Sequence, residues 1–207
     1  MRLLVTGFEP FGGSTVNPSE QVVRRLADQP PLGVELFTAI LPVDRERGPE
    51  RLLQAAASTN PQAVLCLGEA PRRASLAIER VAVNLLDYRI PDNRGVQVVD
   101  EPVKAGGPAA YFVTLPVRRV LAAIQAVQVP VELSLSAGAY LCNQVLYVLL
   151  DYLAVNHLHI PAGFIHLPSL PEQASQQNPP GASMSLETSL AGIRAAILAL
   201  QPNPVFN

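Results

Sequence analysis

A chain of 207 residues falls within the roughly 100–250 that one hydrophobic core serves, so its length predicts a single α/β domain over 1–207. Charged residues make up only 15% of it, against ~25% in an ordinary soluble domain, which predicts apolar surface covered by self-association. A formal net charge of -2 with no run of like charges gives a polyanion nothing to grip, so nucleic acid is excluded as an expected partner.

Leu3, Leu4, Val5 and Thr6 form a short apolar run stopped by Gly7, the pattern of a strand buried on both faces of a parallel sheet. Asn17-Pro18-Ser19 before Val22, Val23 and Leu26 reads as a helix start with Pro18 in the first turn. A strand follows over 34–41, then a helix from about 44 to 57 broken by Asn60-Pro61, then a strand over 63–67 closed by Gly68. Alternating strand and helix predict a mostly parallel sheet.

Aliphatic and β-branched residues predict one longer strand over 74–83, followed by an irregular stretch containing Pro91, Asp92, Asn93 and Gly95. Apolar residues at helical spacing predict a helix over 111–127, with Pro116 near its first turn or kinking it. A short strand over 133–135 precedes a long helix from near Cys142 to near Val155, and a strand over 163–167 follows. The stretch 168–183 is rich in Pro, Gln, Ser and Asn without periodicity and is expected to be a mobile surface loop, before a closing helix over 186–200.

No apolar stretch approaches the ~20 residues that cross a bilayer, and the apolar start is too short for a signal-peptide core. Cys66 and Cys142 are far apart, both in apolar segments, so no disulfide framework is expected. A cytoplasmic, reducing location without membrane partners follows.

Cys142 stands where a strand gives way to a helix, after the small residues Ser136-Ala137-Gly138-Ala139. Free amides and the positive helix end stabilise a thiolate there and can bind a developing oxyanion. The position equally suits a buried free cysteine acting as a small hydrophobe, which is how Cys66 reads. Of three histidines, His166 is the best candidate base, because it ends a strand at the sheet edge where α/β folds place their sites; a histidine satisfied by backbone is the alternative. His157 and His159 lack a nearby Cys, Asp or Glu to complete a ligand set, so they read as a helix C-terminus and no metal is expected. Glu79 is a carboxylate inside a strand and alternates onto one face with Ala77, Val81 and Val83. It either orients an imidazolium or pairs with an arginine such as Arg80 or Arg89.

Four co-ordered segments carry a resemblance. Gly7-Phe8-Glu9-Pro10-Phe11-Gly12-Gly13 with Asn17-Pro18-Ser19, Glu79-Arg80-Val81-Ala82-Val83-Asn84 with Arg89-Ile90-Pro91-Asp92-Asn93, Ser136-Ala137-Gly138-Ala139-Tyr140-Leu141-Cys142-Asn143, and Ile165-His166-Leu167-Pro168 together resemble the pyroglutamyl peptidase I family, the pyrrolidone carboxyl peptidases. The resemblance implies a single α/β domain with a mixed, mostly parallel central sheet and helices on both faces. It implies a cysteine peptidase that cleaves after an N-terminal pyroglutamyl residue, with Cys142 as nucleophile, His166 as proton carrier and Glu79 orienting His166. The oxyanion would be held near the Cys142 amide and Arg89. Phe8, Phe11, Ile90 and Tyr140 would enclose the lactam, with Asn17 supporting the N-terminal loop. Pyroglutamylated peptides as partners, a homotetramer and no cofactor are also implied.

The family usually shows Gly-Gln-Ala-Gly-Gly-Arg where this chain has Gly68-Glu69-Ala70-Pro71-Arg72-Arg73, and Phe and Thr where it has Tyr140 and Val43. Glu69 is therefore expected either at the pocket rim, paired with Arg72 or Arg73, which would offset the cost of burying its carboxylate, or pointing to solvent with no part in recognition. A member with lost or altered specificity, acting as a small-ligand or partner-binding protein, is the runner-up, because fold does not fix function.

Overall fold

In the computed structural model, which describes residues 1–201, the first apolar run is β1 (Arg2–Phe8), buried at every position after the first. It continues through α1 (Pro18–Asp28), β2 (Glu35–Leu41), α2 (Arg47–Thr59) and β3 (Ala63–Glu69). The Asn17 side chain caps α1 by accepting from the Ser19 N–H at 2.9 Å. Asp44 lies before α2 instead of inside it, because its carboxylate accepts the N–H groups of Glu46 and Arg47, both at 2.9 Å.

The chain goes on through β4 (Leu76–Glu79), β5 (Val81–Val83), β6 (Ala110–Phe112), α3 (Val117–Ala126), β7 (Val131–Ser134), α4 (Leu141–Val155), β8 (Ala162–Leu167), α5 (Pro171–Ala174) and α6 (Leu186–Leu200). Six strands form one sheet in the order β2-β1-β3-β8-β4-β7, and β5 with β6 forms a separate pair. Every pairing in the large sheet is parallel except β4 with β8.

Period-two alternation assigns the core to two faces. Leu4, Val64, Cys66 and Phe164 pack with Leu52 and Ala56 of α2 and Val145, Leu149 and Leu153 of α4. Leu3, Val5, Leu65 and Ile165 pack with Val22 and Leu26 of α1, Ile124 of α3 and Ile193 and Ile197 of α6. The chain is thus a single-domain α/β fold with a mixed, mostly parallel sheet between helices. Among the described residues, no helix is long and apolar enough to cross a membrane.

Four expectations need correction. The strand expected over 74–83 breaks at Arg80, whose N–H bonds Ser134 O at 2.9 Å while its own carbonyl accepts from Val113 N at 3.1 Å. Glu79 therefore ends one strand, and Val81 begins another in a different sheet. Helix α3 begins only at Val117, because a proline at 116 disfavours helical backbone in the residue before it; Tyr111 and Phe112 pair in β6 instead. The strand expected over 133–135 is β7 and stops before Leu135, which is 69% exposed. Within 168–183 the chain is not simply a surface loop, since Ser169, Leu170 and Ala174 are buried around the short helix α5. At the far end of α4, His157 adopts a left-handed φ of 54 and its N–H bonds Ala154 O at 3.2 Å, so backbone closes that helix.

Candidate active site

Helix α4 places its second residue, Cys142, at the C-terminal edge of the sheet. The turn before it uses Gly138 at φ 79, a conformation glycine adopts without strain. Two buried amides lock the first turn of α4. Asn143 donates to Val83 O at 2.9 Å and Leu85 O at 3.0 Å and accepts from Val83 N at 2.9 Å. Gln144 donates to Arg45 O at 2.9 Å and accepts from the Tyr88 hydroxyl at 2.6 Å.

Across from the half-buried thiol, β3 carries Gly68. A Cβ there would lie 3.0 Å from Cys142 Sγ and 2.7 Å from the Phe164 ring, so only glycine leaves the sulfur its place. Gly68 is the register partner of His166 on β8, and antiparallel β4 sets Ala77 opposite His166 from the other side. Glu79 follows two residues later, where its Oε1 accepts from His166 Nδ1 at 2.8 Å. Both side chains are nearly inaccessible, 5% for His166 and 0% for Glu79. With Nδ1 donating to the carboxylate, Nε2 is the nitrogen left to accept a proton. Glu79 pairs with neither Arg80 nor Arg89; its second contact is Arg73, at 3.5 Å from the same oxygen.

The Cys142 thiol is pushed up to about 12, first by burial and then by the charges of Glu79, Cys66 and Glu69. Its own backbone N–H lowers it, but as the smallest of these influences. The helix end expected to hold a thiolate is present, yet it loses to burial and nearby carboxylates. In the resting site the sulfur carries its proton, so it could act as a nucleophile only with a base beside it.

Cys142 and His166 open onto a cavity of about 550 Å³. Phe8, Phe11, Ile90 and Tyr140 supply its apolar wall, and Asn17, Glu69 and Arg89 also face it. Tyr140 stacks edge-on against Tyr88 with centroids 4.7 Å apart and donates to Pro91 O at 3.1 Å. Asn17 Nδ2 donates to Glu9 O at 3.0 Å, which braces the loop carrying Phe11. Of the ten residues singled out in the sequence, all but Glu79 line the cavity, and Glu79 stands behind His166.

The expected pairing of Glu69 with an arginine is not found. Its Oε1 accepts from Ser169 Oγ at 2.7 Å and Gln173 Nε2 at 3.2 Å. Arg73 turns to Glu132 and Glu79, and Arg72 is in no ion pair among the described residues. Gln173 also donates to Val16 O at 3.2 Å and accepts from Leu170 N at 2.8 Å, tying the segment after His166 to the N-terminal loop. The roles of Asn143, Gln144, Ser169 and Gln173 all escape the sequence reading, although Asn143 stands in the segment around Cys142. Polar side chains at the start of an otherwise apolar helix were the available signal for the first two; Gln173 is hidden in a polar, aperiodic stretch.

Burial raises the Glu69 carboxyl above its ordinary 4.5, against the lowering effect of Ser169 and Gln173. The folded protein therefore holds that proton where the unfolded chain has released it. Stability drawn from this group is fullest below about 4.5 and is lost as pH rises through the folded value. Glu69→Gln removes the ionisation, so its melting temperature should match wild type near pH 4 and exceed it near pH 7. Thermal unfolding at both pH values checks this; an equal difference at both would mean that ionisation of Glu69 is not the cause.

The description "Pyroglutamyl peptidase" belongs to the family profile that matches residues 1–202. Pyrrolidone-carboxylate peptidase of Gloeobacter violaceus is 47% identical over 201 residues, covering 97% of each chain. The Vibrio vulnificus protein of the same name is 46% identical over 200 residues, covering 95% of this chain and 91% of that one. The crystal structure of Bacillus amyloliquefaciens pyroglutamyl peptidase I superposes with TM-score 0.92 at 37% identity, covering 96% of each chain. A mutant pyrrolidone carboxyl peptidase from the hyperthermophile Pyrococcus furiosus gives 0.93 at 38% identity, over 97% of this chain and 98% of that one. With matches of this extent in both sequence and fold, the chain belongs to the pyroglutamyl peptidase family.

Proposed function

We propose that this protein hydrolyses the amide bond after an N-terminal pyroglutamyl residue, with Cys142, His166 and Glu79 as its catalytic groups. The observation that carries the assignment is the 2.8 Å contact between His166 Nδ1 and a fully buried Glu79, at a cavity that also receives the Cys142 thiol. As Sγ attacks the pyroglutamyl carbonyl carbon, its proton passes to His166 Nε2 and a C–S bond forms. The Cys142 N–H and Arg89 stabilise the oxyanion. His166 then gives the proton to the leaving amine, the C–N bond breaks, and a thioacyl-enzyme remains. Water, deprotonated by His166, attacks that thioester; the C–S bond breaks, pyroglutamate leaves, and His166 returns the proton to Sγ. The route needs neither metal nor organic cofactor.

Pyroglutamate has no free α-amine, so recognition falls to ring shape and to one amide N–H and one carbonyl. Phe8, Phe11, Ile90 and Tyr140 offer the apolar enclosure, and the Glu69 carboxyl offers an acceptor for the lactam N–H. A chromogenic pyroglutamyl amide, offered with and without prior thiol alkylation, tests the reading. Hydrolysis abolished by alkylation supports it; tight binding without turnover would instead favour a ligand-binding member of the family.

The same reading includes a cytoplasmic homotetramer. Two free thiols, one of them the nucleophile, suit a reducing compartment. Phe112 and Leu158, exposed by 72% and 41%, line a groove at the C-terminal end of α4, an apolar surface that copies of the chain would cover. Light scattering at micromolar concentration should give four times the mass of the chain, and a monomer alone would contradict this.

A further inference from the structure

Glu79 is buried without access to water, and its Oε2 has no hydrogen-bond partner among the described residues. An ionised carboxylate in that position is costly unless a cation compensates. His166 supplies one only after it has taken a proton. Before that, the sole permanently charged group within 4.0 Å among the described residues is Arg73, whose Nη2 lies 3.5 Å from Glu79 Oε1.

Arg73 is itself held from several sides. Its Nη1 reaches Glu132 at 3.3 Å, and its Nη2 reaches Ser134 Oγ at 3.3 Å and Ser136 O at 3.5 Å. The turn that delivers it has Pro71 followed by Arg72 at φ 76, closed by Arg73 N–H to Ala70 O at 3.3 Å. A left-handed residue after proline is the type II pattern that glycine fills most easily, so this backbone is strained at Arg72.

We propose that Arg73 is a positioning residue for the reaction: its guanidinium keeps Glu79 ionised while His166 is neutral, and so holds the imidazole in its Nδ1–H form with Nε2 free for the Cys142 proton. The inference rests on the catalytic assignment above. The charged and titratable groups facing Glu79 are His166 from β8, Cys142 from α4 and Arg73 from the turn after β3, with Glu132 of β7 beyond Arg73.

The test uses Arg73→Gln, Arg73→Lys and Glu132→Gln in the full chain, read by pyroglutamyl amide turnover and by iodoacetamide alkylation of Cys142, which needs no substrate. For Arg73→Gln, kcat should fall about 10–100-fold with KM within about threefold. With the cation gone the Glu79–His166 pair holds a proton more tightly, so the acidic limb of kcat/KM should move to higher pH and neutral alkylation should slow. Arg73→Lys keeps the charge and should recover most of kcat. Glu132→Gln removes a negative charge from an exposed position and should move the limb the other way; it decides the matter if the glutamine variant does not fold. An unchanged pH profile in every variant, or a rise in KM alone, would overturn the inference and make Arg73 a structural or substrate-contacting residue. If wild type hydrolyses nothing while Arg73→Gln still slows alkylation, the peptidase reading fails on its own, and the coupling of Arg73 through Glu79 and His166 to the Cys142 thiol is upheld.

Discussion

Cys142→Ser is expected to abolish hydrolysis of a pyroglutamyl amide, by about 10³-fold or more, without unfolding the protein. Serine replaces sulfur with a smaller oxygen at a half-buried position, so packing changes little. The alcohol is a far weaker nucleophile in a site built for a thiol. Cys66→Ser is the matched control. Its sulfur is fully buried on the sheet face that packs against α4, with its thiol pushed up to about 12, chiefly by burial. It stays protonated and out of reach, so its loss should leave turnover within about threefold. Equal losses from both substitutions would assign the effect of either to packing and remove Cys142 from the chemistry.

His166→Ala should lower kcat by about 10²–10⁴-fold, the usual contribution of a positioned acid–base, with KM little changed. The thiol's environment sharpens the expectation. Burial and then the Glu79 carboxylate lead the influences that push Cys142 up to about 12, so without a base very little of the sulfur is thiolate near pH 7. Alkylation of Cys142 in the alanine variant should then rise about tenfold per pH unit through the neutral and mildly alkaline range, with no plateau. Wild type should react much faster at neutral pH, because Nε2 takes the proton. Identical rates in the two proteins would mean that the helix end alone activates the sulfur.

Those two outcomes bear on what the sequence makes legible. The strand-then-glycine pattern at Leu3 to Gly7 and at 63–68 is a local signal, and it locates two neighbouring strands of the sheet, although neither glycine ends its strand and both run one residue further, to Phe8 and Glu69. Cys142 and His166 are legible for the same reason, since both sit at ends of elements on the edge where such folds place their sites. Glu79 is different. Alternation through 74–83 reads as one strand, and only the non-local bonds of Arg80 to Ser134 and Val113 break it there. The partner of Glu69 is also non-local. A reading along the chain offers the neighbouring Arg72 and Arg73, whereas folding brings Ser169 and Gln173 from about a hundred residues away. Charge balance gave the wrong partner because hydrogen bonds from neutral groups satisfy the carboxyl instead. The thiol is the third such case. A helix N-terminus is visible in sequence, but the burial and carboxylates that outweigh it are properties of the packed site.

If Cys142 is the nucleophile, its sulfur bonds covalently to the pyroglutamyl carbonyl carbon. An aldehyde analogue of pyroglutamate, isotopically labelled at the carbonyl carbon, tests it directly, since a thiol adds to an aldehyde to give a stable mimic of the tetrahedral species. Carbon NMR of the complex should show a hemithioacetal in wild type and in Cys66→Ser, and none in Cys142→Ser. An analogue that binds in the cavity as free aldehyde or hydrate, or a hemithioacetal that survives in Cys142→Ser, would exclude Cys142 as the nucleophile.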